Sequence, residues 1–312
     1  MTKSYKPVFD SLFKEVSKVI VGQRDLIEQM MVAILCDSNA LLEGYPGLAK
    51  TLAVRTLSEV LDLKYSRIQN TPDLMPSDIT GTFIIEESGG KRNFRFQPGP
   101  IFANIVLADE INRATPKSQS ALLEAMQEKQ VTVGDKTYKL DLPFFVLATQ
   151  NPIDQEGTYP LPEAQADRFL IKIKVEYPNP EEESKIIDMF TSKSDKPKLK
   201  KILTKTQLLH LQEKTREIPI SNDLKKRVVH LIAATRSEKA LISYGASPRA
   251  SIGLILASKA RALIQGRNFV SKEDIESMAY PVLRHRIILN FEAERKGMSQ
   301  EDAIKQLLSK VK

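Results

Sequence analysis

The segment Gly44-Tyr45-Pro46-Gly47-Leu48-Ala49-Lys50-Thr51 joins a glycine-bent loop to a lysine and a hydroxyl. It follows a short apolar run over 40–43 and leads into a helical pattern, so strand, loop and helix can together cradle phosphate. Backbone N–H groups turn inward around Gly47, the positive end of the helix dipole faces the anion, and Lys50 adds a full charge. Thr51 can offer its hydroxyl to Mg²⁺. Leu52 continues the same candidate nucleotide-binding segment. The usual pattern has Gly before the Lys, where this chain has Ala49; Ala is tolerable if that position is helical and intolerable if it needs φ > 0.

A second apolar run, Ile105-Val106-Leu107-Ala108, ends in Asp109-Glu110. Ligands of open α/β sheets sit at the carboxyl ends of strands, the edge that also carries the glycine loop. Asp109 is the candidate to assist Mg²⁺, usually through water, and Glu110 the candidate general base for an attacking water. A third run, 145–148, ends in Thr149-Gln150-Asn151, where an amide can donate to a phosphate oxygen. Arg168 precedes the last strand candidate and Arg249 opens a helix in the second half. Phosphoryl transfer develops charge on oxygen, which an arginine from another domain or subunit is suited to neutralise.

These residues need a scaffold, and residues 1–180 alternate helical stretches with short β-rich runs, the pattern of an α/β domain with a mainly parallel sheet. Five strands are expected at 40–43, 64–69, 104–109, 144–149 and 170–175. The two longest apolar ones are expected to be buried on both faces. Two hairpins are expected: Thr82–Ile85 with Asn93–Phe96 about a Gly89-Gly90 turn, and Val131–Val133 with Thr137–Leu140 about Gly134. Beyond a lysine-rich stretch, Lys193–Lys205, the pattern turns helical, with Ser221, Ser247-Pro248, Ser271 and Ser299 as helix starts and Gly266 as a stop. The expected domains are a core over 1–190, a linker over 191–205 and an all-α domain over 206–312.

The 312 residues are 42% hydrophobic and 27% charged, ordinary values for a globular chain. No apolar run is long enough to span a bilayer and no signal-like segment opens the chain, so cytoplasmic residence is the expectation. Cys36 is the only cysteine, which excludes an internal disulfide, and its apolar surroundings suggest core packing. His210, His230 and His285 lack metal-ligand spacing. Net charge is +7, but the lysines cluster in the linker, tryptophan is absent and aromatics are sparse, which argues against nucleic acid as a partner.

Over nearly its whole length the chain resembles a MoxR-type AAA+ ATPase. The resemblance is carried by the glycine loop and by Leu107-Ala108-Asp109-Glu110-Ile111-Asn112-Arg113-Ala114. It extends through 121–128, Ala148-Thr149-Gln150-Asn151-Pro152 and 156–165. The Ala-Lys-Thr ending is usual in that family. The resemblance implies a P-loop αβα core with a five-stranded parallel sheet and two hairpin insertions, a helical lid, and ATP with Mg²⁺ at the interfaces of a ring, usually a hexamer. It implies that Lys50 and Thr51 bind phosphate and Mg²⁺, Asp109 assists the metal, Glu110 is the base and Asn151 senses the γ-phosphate. Arg168 resembles the arginine finger acting on the neighbouring subunit, Arg249 the second sensor, and Val21-Gly22-Gln23 the segment bordering adenine. Chaperone-like remodelling of client proteins, often with a von Willebrand factor A domain partner, is the implied function. A nucleic-acid motor and a nucleotide-switched scaffold with slow turnover are the alternatives.

Overall fold

The computed structural model describes residues 4–88, 91–152, 158–192 and 197–311. The Gly89-Gly90 turn, the start of the 156–165 motif and the first part of the lysine run lie outside the described residues. Helices α1 (Lys6–Val16) and α2 (Arg24–Leu35) precede β1 (Ala40–Glu43), α3 (Lys50–Val60), β2 (Tyr65–Gln69) and α4 (Pro76–Thr80). A hairpin, β3 (Gly81–Ser88) with β4 (Lys91–Pro98), leads to β5 (Ile105–Asp109) and α5 (Pro116–Glu128). A second hairpin, β6 (Gln130–Val133) with β7 (Lys136–Lys139), leads to β8 (Phe145–Gln150), α6 (Glu163–Ala166), β9 (Ile171–Lys174) and α7 (Pro180–Thr191). The remainder is mainly helical: α8 (Lys205–Glu217), α9 (Asn222–Ser237), α10 (Pro248–Ile264), α11 (Lys272–Leu283), α12 (Phe291–Arg295) and α13 (Gln300–Lys310). Between them runs a small ribbon of β10 (Ile242–Tyr244) with β11 (Ile288–Leu289).

The five expected strands form one sheet in the order β2-β5-β8-β1-β9, parallel at every pairing. Alternate residues serve opposite faces: Leu42, Leu107 and Leu147 join one apolar cluster, while Leu41, Val106 and Val146 join the other. Burial on both faces is why these strands read as unbroken apolar runs. The register aligns their ends, pairing Gln69 with Asp109, Ala108 with Ala148 and Glu43 with Gln150, so the polar residues that terminate β1, β5 and β8 emerge along one edge.

The helix starts are capped as expected. Ser221, Ser247, Ser271 and Ser299 each accept a hydrogen bond from a backbone N–H in the first turn of the following helix, and Asp274 and Asp302 complete capping boxes. Ser247, for example, accepts from the N–H of Arg249, which sets the direction in which α10 leaves the loop. Gly266 takes φ +77° just beyond α10, the left-handed stop that glycine permits.

The C-terminal helices do not stand apart on a core of their own. Buried residues of α8 to α13 belong to the same cluster as α1, α2 and the inner face of the sheet. Packing is tight at Gly253 of α10, where an added Cβ would lie 3.1 Å from Leu170 Cδ1. From Pro197 onward the lysine-rich segment is pinned by its backbone: Lys200 N–H donates to Glu15 and Ile202 N–H to the Val60 carbonyl. Lys198, Lys200 and Lys201 stay exposed, as a solvated stretch should, but Lys205 pairs with Asp141, and Leu203 is buried and anchors the segment. No described helix is long and apolar enough to cross a membrane.

Candidate active site

The loop after β1 turns on Gly47 at φ +82°, with open space where a Cβ would stand. Ala49 then adopts φ +55°, ψ +21° as the N-cap of α3. It is therefore not a helical residue: the position requires left-handed backbone, and the chain tolerates there a strain on the order of 1 kcal/mol. Lys50 folds back over the loop, its ammonium donating to the carbonyls of Gly44 (2.5 Å) and Tyr45 (2.7 Å). Burial lowers its pKa, opposed by the charges of Asp109 and Glu110.

Asp109 ends β5 with its side chain 11% exposed and both carboxylate oxygens engaged. Oδ1 accepts from Thr149 Oγ1 at 2.6 Å, and Oδ2 accepts from Arg67 Nη2 at 2.6 Å and from Thr51 Oγ1 at 3.5 Å. Thr149 Oγ1 also accepts from the Glu110 N–H at 2.8 Å, so one hydroxyl ties the end of β8 to both acidic residues. Glu110 is left-handed as well, at φ +54°, ψ +52°. Its carboxylate is held by Gln69 Nε2 at 3.1 Å and paired with Arg113 Nη1 at 3.2 Å.

Five non-glycine residues have positive φ among those described. Asp37, Asp62 and Lys129 occupy ordinary helix C-terminal turns. The other two, Ala49 and Glu110, border the same cavity, where backbone strain aims groups that a relaxed turn would point elsewhere.

That cavity, about 370 Å³, is lined by Pro46 to Leu52, Asp109, Glu110, Thr149, Gln150 and Asn151. Beside it an apolar cavity of about 220 Å³ is walled by Val21, Gln23, Leu48, Leu52, Pro178 and Phe190, suited to a flat apolar ring. Gly22 lies next to this wall but faces α7: at φ +76°, a Cβ there would meet the Glu182 carboxylate at 2.3 Å. Gly44 lines neither cavity; a Cβ on it would meet Val175 at 2.9 Å, so its role is close packing at the loop's start. Tyr45 stacks on Tyr177, ring centroids 5.4 Å apart, on the outer side of the loop.

Arg168 and Arg249 line neither cavity. Their contacts differ: Arg168 Nη1 donates to Gln127 Oε1 of α5, and Arg249 Nη1 approaches Asp167 Oδ2 at 3.4 Å. Sequence reasoning thus assembled the pocket residues but missed Arg67 and the hydroxyl of Thr149 as the partners of Asp109. The signal for Thr149 was its place just past the apolar run of its strand, as Asp109 stands just past its own; in the structure the two are level. Arg67 gave none, because its approach depends on which strand neighbours β5.

The arrangement can seat a polyphosphate on the loop and hold a carboxylate base opposite it. The profile described as "ATPase family associated with various cellular activities (AAA)" matches residues 39–171, and that of the AAA lid domain matches 233–307. Chaperone MoxR1 of Mycobacterium tuberculosis is 47% identical over 95% of this chain and 80% of its own length. YeaC of Bacillus subtilis, uncharacterized, is 41% identical over 98% and 95%, and the protein MoxR of Paracoccus denitrificans 30% identical over 90% and 89%. A crystal structure from Cytophaga hutchinsonii superposes with a TM-score of 0.92 at 47% identity, covering 99% of this chain and 95% of that one. With the loop, the acidic strand end and the helical lid in the order those relatives share, the chain belongs to the MoxR family of AAA+ ATPases.

Proposed function

We propose that the chain hydrolyses ATP to ADP and phosphate with Mg²⁺ at the interfaces of a ring of identical subunits, a hexamer by family resemblance. The observation that carries this reading is the division of the site. The loop and both carboxylates line one cavity, whereas the two arginines suited to neutralising transition-state charge lie outside it, Arg249 at Asp167 and Arg168 at Gln127. An arginine supplied across an interface is worth roughly 10³–10⁵ in rate, so a subunit alone is a poor catalyst and a ring a competent one.

In this reading the loop N–H groups and Lys50 bind the phosphates, and the neighbouring apolar cavity takes adenine beside Val21. Glu110, oriented by Gln69 and Arg113, accepts the proton of the attacking water. Asn151 aligns the γ-phosphate, Arg168 reaches the nucleotide of the adjoining subunit, and Arg249 acts as the second sensor on the lid. Thr51 and Asp109 are the oxygen donors that would hold Mg²⁺, and their side chains already stand 3.5 Å apart. When bound, the ion neutralises charge on phosphate oxygens. The core over 1–190 and the lid over 206–312, joined by the linker over 191–205, then shift their packing against one another with nucleotide state in the cytoplasm. That motion remodels client proteins with a von Willebrand factor A domain partner; the relative named a chaperone supports this part.

Glu110→Gln tests the reading. It should bind ATP as the parent does and lose about 10²–10⁴-fold in turnover, measured by phosphate release beside fluorescent-nucleotide binding. Undiminished hydrolysis would remove Glu110 from the mechanism.

A further inference from the structure

Arg286 follows α11, and its side chain is only 3% exposed. It uses all five of its N–H groups. Nε donates to Asp167 Oδ1 (2.8 Å), Nη2 to the carbonyls of Asp167 (3.0 Å) and Phe169 (2.6 Å), and Nη1 to the carbonyls of Leu170 (2.8 Å) and Val282 (2.6 Å). Four of the five bonds land on the four residues 167–170, on both sides of Arg168 but not on Arg168 itself. His285 Nε2 adds a further contact to the Phe169 carbonyl at 3.0 Å. The Asp167 carboxylate is shared in turn with the lid, accepting from Ser247 Oγ at 2.9 Å and pairing with Arg249.

A buried guanidinium is costly unless every donor is satisfied. Its planar fork can bridge several carbonyls of one turn, which an ammonium cannot. We propose that Arg286 is a positioning residue for hydrolysis in the adjoining subunit. By clamping the turn at 167–170 to the lid, it fixes the direction in which Arg168 is presented across the interface. Asp167, gripped by Arg286 and Arg249 together, makes that presentation follow the lid. The inference rests on the reading of Arg168 as a residue acting across subunits, and a misplacement of about 1 Å at such a group can cost 10²-fold.

The test uses Arg286→Lys, which keeps the charge and loses the fork, and Asp167→Asn, which keeps the shape and loses the shared charge. Each variant alone should bind a fluorescent ATP analogue as the parent does while its kcat falls by about 10-fold or more. Adding Glu110→Gln subunits, inactive themselves but carrying an intact Arg168, should restore turnover in the pockets of the variant subunits, as it should for an Arg168→Ala control. Parental kcat in the variants, or restoration of the Arg168→Ala control but of neither variant, overturns the proposal. If the control itself is not restored, the reading of Arg168 fails and the positioning role falls with it. Loss of folding in both variants assigns the clamp to the fold instead and likewise overturns the proposal.

Discussion

Acid should loosen the junction between sheet and lid, and His285 should be the group responsible between pH 6.5 and 4.5. Its Nε2 faces the Phe169 carbonyl, which can only accept, so the folded tautomer carries its proton there. Nδ1 is sealed without a hydrogen-bond partner. A second proton would therefore enter a site with no acceptor. Burial first, and then the neighbouring charge of Arg286, hold the pKa well below its ordinary 6.5. The unfolded chain takes up a proton below pH 6.5 that the folded chain refuses. The stability is thus complete above 6.5 and is lost as pH falls, with a limiting slope of about 1.4 kcal/mol per pH unit. Over the two units to pH 4.5 the loss is at most about 2.7 kcal/mol. Urea midpoints at pH 7.5, 6.5, 5.5 and 4.5 for the parent and for His285→Gln measure it. Gln can still donate to Phe169 but cannot titrate, so its curve should be flatter. Asp274 and Glu301, whose pKa values are lowered in the fold, contribute at more acid pH and equally in both proteins. Parallel curves, or a parent more stable at pH 5.5 than at 7.5, would refute the reasoning.

Two further outcomes follow from the geometry. Asp274 is fully buried and bound by Arg267, Arg261 and Ser271, so Asp274→Asn should lower stability by about 3 kcal/mol, near the lower end for breaking a buried pair because the arginines keep some solvent access. Thermal melting checks it, and a shift too small to resolve would show that water replaces the carboxylate. At Ala49, left-handed backbone predicts an order: Gly at least as stable as Ala, and Val lower by about 1–2 kcal/mol, because a β-branched residue there is a steric outlier. A Val variant that melts with the parent would mean the loop relaxes out of the left-handed region.

Much of the site was legible because its parts are local. A glycine loop between strand and helix, two carboxylates at the end of an apolar run, and Ser-Pro before α10 each specify backbone geometry within a few residues, so the five strands and the capped helices appear where the pattern put them. Ala49 was legible only as a question, since its type allows either backbone state and the loop's closure selects the strained one. What required the tertiary structure is every relation between segments distant in sequence. Strand order brought Arg67 to Asp109, and register brought the Thr149 hydroxyl between Asp109 and Glu110. Helix docking brought Arg286 from the far end of the chain to the turn that carries Arg168. Hydrophobic pattern fixes which face of each element is buried, but not which element covers it. The lid therefore read as a separate unit in sequence, and close packing against the sheet makes it part of one core.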